Sequence, residues 1–297
     1  MRIRVVAAAL ACSISLAPAA AQELTGTLKK IKDSGTISLG HRESSIPFSY
    51  YDEKQQVVGY SHELMLKAVD AVKKDVKLPN LQVKLTPITS QNRIPLVQNG
   101  TIDIECGSTT NNLERQQQAA FSNTLFVIGT RLLTKKDSGI RDFPDLKGKN
   151  VVTTAGTTSE RLLRKYNEDN KMGMNIISAR DHGESFLTLQ SGRAVAFMMD
   201  DALLAGEAAK AKKPDEWHIV GKPMSEEAYG CMMRKDDPAF KKVVDAAIAQ
   251  AMTSGEAEKL YKKWFLSPIP PKGLNLNLPL SDDMKELFKH PNDKALQ

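Results

Sequence analysis

The chain has 297 residues, 41% of them hydrophobic and 26% charged, with 41 Lys and Arg against 35 Asp and Glu. That length suits two domains, and that composition describes an ordinary globular protein and excludes a disordered or fibrous chain. The positive balance mildly favours acidic partners, but the lysines are spread along the chain and form no basic stripe for nucleic acid.

The first 21 residues stand apart. Arg2 and Arg4 form a basic start, Val5 to Leu16 is mostly apolar, and Ala19-Ala20-Ala21 fits a small-residue cleavage site. This predicts a secretory signal peptide over 1–21, too short and too early for a membrane anchor. No later run approaches 18 apolar residues, so the mature protein is expected to be soluble outside the cytoplasm, without stable membrane insertion. Cleavage removes two arginines, leaving 39 Lys and Arg against 35 Asp and Glu, a net charge of +4. It also removes Cys12. The remaining two cysteines, Cys106 and Cys231, are an even pair in an oxidising compartment and are expected to form a disulfide.

In chain order, Leu28 and Ile31 mark a short helix stopped by Ser34-Gly35, and Thr36 to Leu39 is a strand with Gly40 to Glu43 at its end. Phe48 to Tyr51 and Val57-Val58 predict a hairpin about Asp52-Glu53-Lys54. Ser61 is the expected N-cap of a helix whose apolar face is Leu64, Ala68, Val69, Val72 and Val76. Leu81 to Leu85 is a strand, Thr89 to Arg93 opens a helix, and Asn99-Gly100 turns the chain into a strand from Ile102. Phe121-Ser122 and then Phe126 to Thr134 run extended. Asn150 to Val152, Ile176-Ile177 and Ala194 to Met199 are strands. Helices follow from Ala155–Glu160, after Asp181-His182-Gly183, and from Asp200-Asp201 through Ala211. Tyr229 to Met233 is an extended return. Asp237 caps a helix carrying Phe240, Val243, Val244, Ala247 and Ala251; Glu256 to Phe265 is another, and Ser281 caps the last. Alternating strands and helices predict an α/β fold in two blocks, with ligand-binding loops at strand ends.

The stretch from Ile102 to Arg115 carries the first chemistry. Gly107 lets the backbone approach whatever is held there, and the turn after it delivers Ser108, Thr110 and Arg115 to one place. Hydroxyls and a planar guanidinium fork suit a carboxylate. Thr157-Thr158 and Asp200-Asp201 precede helices, where a cap is the plain reading; Asp201 is the expected cap of its helix. The five histidines, at 41, 62, 182, 218 and 290, have no metal spacing, and no nucleophile elbow, dinucleotide or phosphate loop is present.

Asp103 to Ser122, Ala155 to Glu160 and Phe197 to Asp201 resemble, in order, the motifs of the extracytoplasmic polar-amino-acid-binding proteins of ABC importers. Gly40 to Asp52, Pro87 to Pro95 and Asp181-His182-Gly183 resemble the acidic-ligand branch of that family. The resemblance covers essentially the whole mature chain. It implies a two-lobed periplasmic-binding-protein type II fold, with two mixed sheets flanked by helices and joined by hinge strands near 129–134 and 227–231. The first lobe would be 22–129 plus 227–297 and the second the inserted 130–226. It further implies a non-enzymatic periplasmic monomer without cofactor or metal, binding L-glutamate or L-aspartate and meeting ABC permease subunits. Glutamine or another polar amino acid is the alternative ligand. Ser108, Thr110, Arg115, Thr158 and Asp200 would take the amino-acid backbone, with Asp200 on the ammonium. Arg42, Ser90, Arg93 and His182 would take the side-chain carboxylate.

Overall fold

The computed structural model describes residues 23–296, so the expected signal peptide lies outside the described residues. The first block runs α1 (Gly26–Ser34), β1 (Thr36–His41), β2 (Ser44–Ser45), β3 (Ser49–Tyr51), β4 (Val57–Val58), α2 (Tyr60–Asp75), β5 (Gln82–Pro87), α3 (Arg93–Gln98), β6 (Ile104–Glu105) and α4 (Leu113–Gln116). A single long strand, β7 (Ala119–Lys135), leads to the second block: β8 (Asn150–Thr154), α5 (Thr158–Asp169), β9 (Asn175–Ala179), α6 (His182–Gln190), β10 (Ala196–Asp200), α7 (Asp201–Ala209) and β11 (Trp217–Val220). The chain returns through β12 (Glu226–Arg234) and closes with α8 (Pro238–Thr253), α9 (Glu256–Phe265) and α10 (Asp282–Lys289).

The strands order as β5-β1-β6-β12-β7-β10-β8-β9, with β11 also on β7. Pairing is parallel within β5-β1-β6 and within β10-β8-β9, and antiparallel wherever β7 or β12 takes part. The two parallel groups are therefore bridged by one antiparallel ribbon. Residues 119–129 of β7 pair with β12, while 130–134 pair with β10. This is the two-lobed arrangement of mixed sheets, and β7 changes partner from β12 to β10 between Gly129 and Thr130.

Helix faces explain the layers. In α2 the buried Leu64, Met65, Ala68, Val69 and Val72 recur at helical spacing, and in α8 Phe240, Val244, Ile248, Ala251 and Met252 do the same. An aromatic stack of Phe48, Tyr60, Phe126, Tyr229, Tyr261 and Phe265 fills the first lobe against the bridging strands. Phe48 and Tyr50 thus belong to the core.

Several boundaries differ from expectation. The cap of α2 is Gly59, with Ser61 in the first turn. Tyr60 and His62 donate their N–H groups to the carbonyls of Pro47 and Phe48, so the preceding loop does the work of a capping side chain. The strand expected from Ile102 ladders only at Ile104–Glu105. The two extended stretches expected around 121–134 are one strand, in which Thr124 still pairs with Gly230 across an irregular register and Asn123 is held by Asp245. Trp217–Val220, given no element above, is a strand, since its β7 partner supplies the pairing.

Candidate functional site

Strand-end loops from both lobes meet at the seam. Arg42 follows β1 and is 1% exposed; its backbone N–H donates to Ser49 Oγ at 3.0 Å. A Cβ at Gly107 would lie 2.9 Å from Arg42 Cγ, so the glycine is what lets the arginine pass. After β5, Thr89 and Asn92 exchange hydrogen bonds of 2.8 and 3.2 Å, a turn that buries Ser90 and starts α3 at Arg93. Arg93 donates through Nη1 to Thr109 Oγ1 at 2.6 Å. Beyond β6, Ser108 Oγ donates to Ser45 Oγ at 3.2 Å, and Thr110 bridges to Tyr229 on β12. Asn112 caps α4 by accepting the Arg115 N–H, which aims the Arg115 guanidinium at the carbonyls of Thr110 (3.0 Å) and Gly156 (3.3 Å).

The second lobe contributes from three strand ends. Thr157, not Thr158, is the N-cap of α5, accepting from Glu160 N–H. Thr158 is thereby free, and its hydroxyl donates to Glu227 Oε2 at 2.9 Å. Asp181 caps α6, which fixes His182 as its first residue, with Nδ1 2.9 Å from Thr154 Oγ1. Asp200 ends β10. Its Oδ1 accepts from Thr130 (2.8 Å) and Ser159 (3.4 Å), and its Oδ2 accepts from the Tyr229 hydroxyl. Asp201 does not cap α7 as expected: Asp200 holds the cap position, and no side chain makes the cap bond. Asp201 instead faces a groove on the other side with Phe126 and Met284.

All nine residues marked out in the sequence are buried at or beside this seam. The seam is shut. Arg115 reaches Gly156, Arg161 pairs with Glu114 at 3.2 Å, and Ser44 donates to Asp181 at 3.3 Å while accepting from Gly183 N–H at 3.2 Å. Gly156 lies so close to Gln91 that a Cβ would meet its backbone nitrogen at 2.8 Å.

The electrostatics show what is missing. Burial first, then the charge of Arg93, pushes Arg42 down to about 10 and Arg115 to about 9. Guanidinium groups stay charged throughout, so the direction reflects burial of these cations beside one another. Burial, then Arg42 and Arg93, holds His182 well below its ordinary value, so the ring is neutral. Burial, then Glu227, raises Asp200 to about 7. Among the described residues, five buried polar atoms of the seam have no partner: Arg42 Nη1, Ser90 Oγ, Arg93 Nε and His182 Nε2, with the acceptor Glu105 Oε2 beside Gly107. The unshifted surroundings of a plain structural network would satisfy them.

Glu105, Thr109, Thr130, Thr154, Glu227 and Tyr229 were not singled out from the sequence. Each lies in a strand or turn whose alternation reads as packing. Glu105 next to Cys106-Gly107, a charge within a buried run, is the one local signal that pointed to it.

A two-lobed α/β chain with a shut, polar, charge-lined seam crossed by two strands is a type II periplasmic-binding-protein fold. The model of the bacterial extracellular solute-binding proteins, family 3, matches residues 37–267, and the chain belongs to that family. A glutamate/aspartate import solute-binding protein of Salmonella typhimurium (strain LT2) is 69% identical over 296 residues, covering 100% of this chain and 97% of the relative. An L-glutamate/L-aspartate-binding protein of Pseudomonas aeruginosa (strain PAO1) is 66% identical, covering 97% and 96%. Among solved structures, an ancestral arginine-binding protein bound to arginine superposes with a TM-score of 0.69 at 30% identity, covering 78% of this chain and 98% of that one. The curated relatives carry the names of binding proteins, and this chain is a binding protein rather than an enzyme. Among the described residues no helix is long and apolar enough to cross a membrane. The expected disulfide joins Cys106 to Cys231.

Proposed function

We propose that this protein captures L-glutamate or L-aspartate at the seam, in the periplasm and as a monomer, and hands it to the membrane permease of an ABC importer. The carrying observation is the set of four unpartnered buried polar atoms on Arg42, Ser90, Arg93 and His182, all able to donate to one carboxylate. The names of the 66–69% identical relatives support the same ligand. In this reading Arg115, Thr110 and Thr158 hold the α-carboxylate, helped by the free N–H groups at the start of α5. Asp200 and Ser108 take the ammonium. For His182 Nε2 to donate, Nδ1 must accept the Thr154 hydroxyl proton across 2.9 Å; the Ser185 hydroxyl donates to the Asp181 carbonyl at 2.9 Å. Glutamine fits less well, because its amide N–H groups would face donors.

The moving bodies are 22–129 with 227–297 and 130–226. The ligand docks on one lobe, the strands near 129–134 and 227–231 flex, and the other lobe closes. Closure expels water and strengthens each ionic contact. A calorimetric titration with glutamate, aspartate, glutamine and asparagine tests the assignment: the two acidic ligands are expected to bind far more tightly, and silence from both would end it.

Asp200 adds a pH test. The ligand ammonium favours its carboxylate form, so the complex binds fewer protons than the free protein around neutral pH. Binding at pH 7 is therefore expected to release on the order of half a proton, with affinity falling as pH drops below about 7. Calorimetry in buffers of different ionisation enthalpy reads this directly, and Asp200→Asn should abolish the release.

A further inference from the structure

We infer that Thr109, anchored by Glu105, is a positioning residue that aims Arg93 at the ligand's distal carboxylate; the inference rests on the ligand reading above. Thr109 and Glu105 are both fully buried, and neither belongs to the groups assigned to the ligand. The Thr109 hydroxyl has a single proton, which it donates to Glu105 Oε1. Its lone pairs are then left for Arg93 Nη1, which donates across 2.6 Å. This polarity is forced, since a guanidinium only donates and an ionised carboxylate only accepts.

The spacer matters because of what it leaves unused. A carboxylate set directly against Arg93 would take the guanidinium fork bidentately and consume the donors needed outside. With one hydroxyl between them, a single nitrogen of Arg93 is engaged. Its other contact among the described residues is a long one, 3.4 Å from Nη1 to the Ser108 carbonyl. Arg93 Nε stays unpartnered, as do Arg42 Nη1 and Ser90 Oγ. Glu105 meanwhile lies near Arg42 and Arg115 as well as Arg93, and its charge offsets their mutual repulsion from behind. Burial raises the Glu105 carboxyl above its ordinary value, and Arg93 first, then the Thr109 hydroxyl, opposes that rise. Thr109 has an independent support in the chain: its carbonyl accepts from Gly230 N–H at 3.0 Å on β12, so the turn cannot rotate the hydroxyl away.

The test is a set of glutamate titrations by calorimetry on the full mature chain, with Thr109→Val and Thr109→Ser made in the wild-type and in an Arg93→Met background. Thr109→Val is expected to weaken glutamate tenfold or more in the wild-type background and less than twofold when Arg93 is already gone. Thr109→Ser, which keeps the hydroxyl, should stay within threefold of wild type. Where the valine variant does not fold, Thr109→Ala, which also removes the hydroxyl, carries the same comparison of backgrounds. Loss by the same factor in both backgrounds, or none in either, overturns the inference alone. Absence of glutamate binding by the wild type would overturn the ligand assignment and this inference together.

Discussion

Replacing Arg93 with methionine is expected to weaken glutamate binding a few hundredfold or more. Removing one partner of a buried charge pair leaves the other uncompensated, which costs about 3–5 kcal/mol, and each 1.4 kcal/mol or so is a tenfold change in affinity. Two features place this pair at the upper end. Arg93 is 1% exposed, so no water reaches the seam to replace it. Its neighbour Arg42 is equally buried and engages its guanidinium with no partner through Nη1. The ligand-free protein should tolerate the change better than the complex. Losing one of two adjacent cations relieves repulsion, which offsets part of the lost Thr109 bond. The expected signature is therefore a large loss of affinity with a small change in the melting temperature of the empty protein. Arg42→Met should behave alike. Titration and thermal melts of the same preparation check both, and a loss under tenfold would remove Arg93 from the distal carboxylate.

The same site shows what a sequence can and cannot disclose. Arg115 was readable because three cues coincide: a strand end, a glycine and two hydroxyls at close spacing. Thr158 was readable only as one of two threonines before a helix, and the fold settles the ambiguity by giving the cap to Thr157. The cap of α2 misled for the opposite reason, since the Pro47 and Phe48 carbonyls, thirteen and fourteen residues before the N–H groups they accept from, cannot be seen in a local pattern. Glu105 and Glu227 were missed because a carboxylate in a strand reads as a solvent-facing position. Glu227 is instead turned into the seam by Thr158, far along the chain, and Glu105 by the Thr109 hydroxyl four residues on and the charge of Arg93. Tyr229 was likewise hidden: it reads as a core aromatic and is one, with its hydroxyl alone reaching Asp200. Periodicity recovered most helices and strands because burial faces impose it locally. The seam depends on which strand ends meet, and that is set by the crossing of β7 and β12.

That crossing leads to the second large effect. Removing the disulfide, as Cys106→Ala with Cys231→Ala, is expected to lower the unfolding free energy by about 4 kcal/mol, within the 2–5 kcal/mol usual for a native bond. The two cysteines are 125 residues apart, so the bond closes a long loop and restricts the unfolded chain strongly. Both are wholly buried, and alanine leaves a cavity that adds to the loss. The location makes the bond matter for binding too. It ties the end of β6, a strand of two residues, to β12 where Met232 and Met233 pair with Glu105 and Ile104. The turn carrying Ser108, Thr110 and Arg115 starts at the next residue, Gly107. Without the bond that turn is tied to β12 through the Thr109 and Asn111 backbone bonds beyond it, with its start at Gly107 released, so affinity for glutamate should fall together with stability. Denaturant titration of the oxidised protein, the reduced protein and the double variant separates the two effects. The reduced protein is expected to unfold roughly 10 °C below the oxidised protein, and the double variant lower still, because only it carries the cavity. Two free thiols in the denatured, unreduced protein would show that the bond does not form.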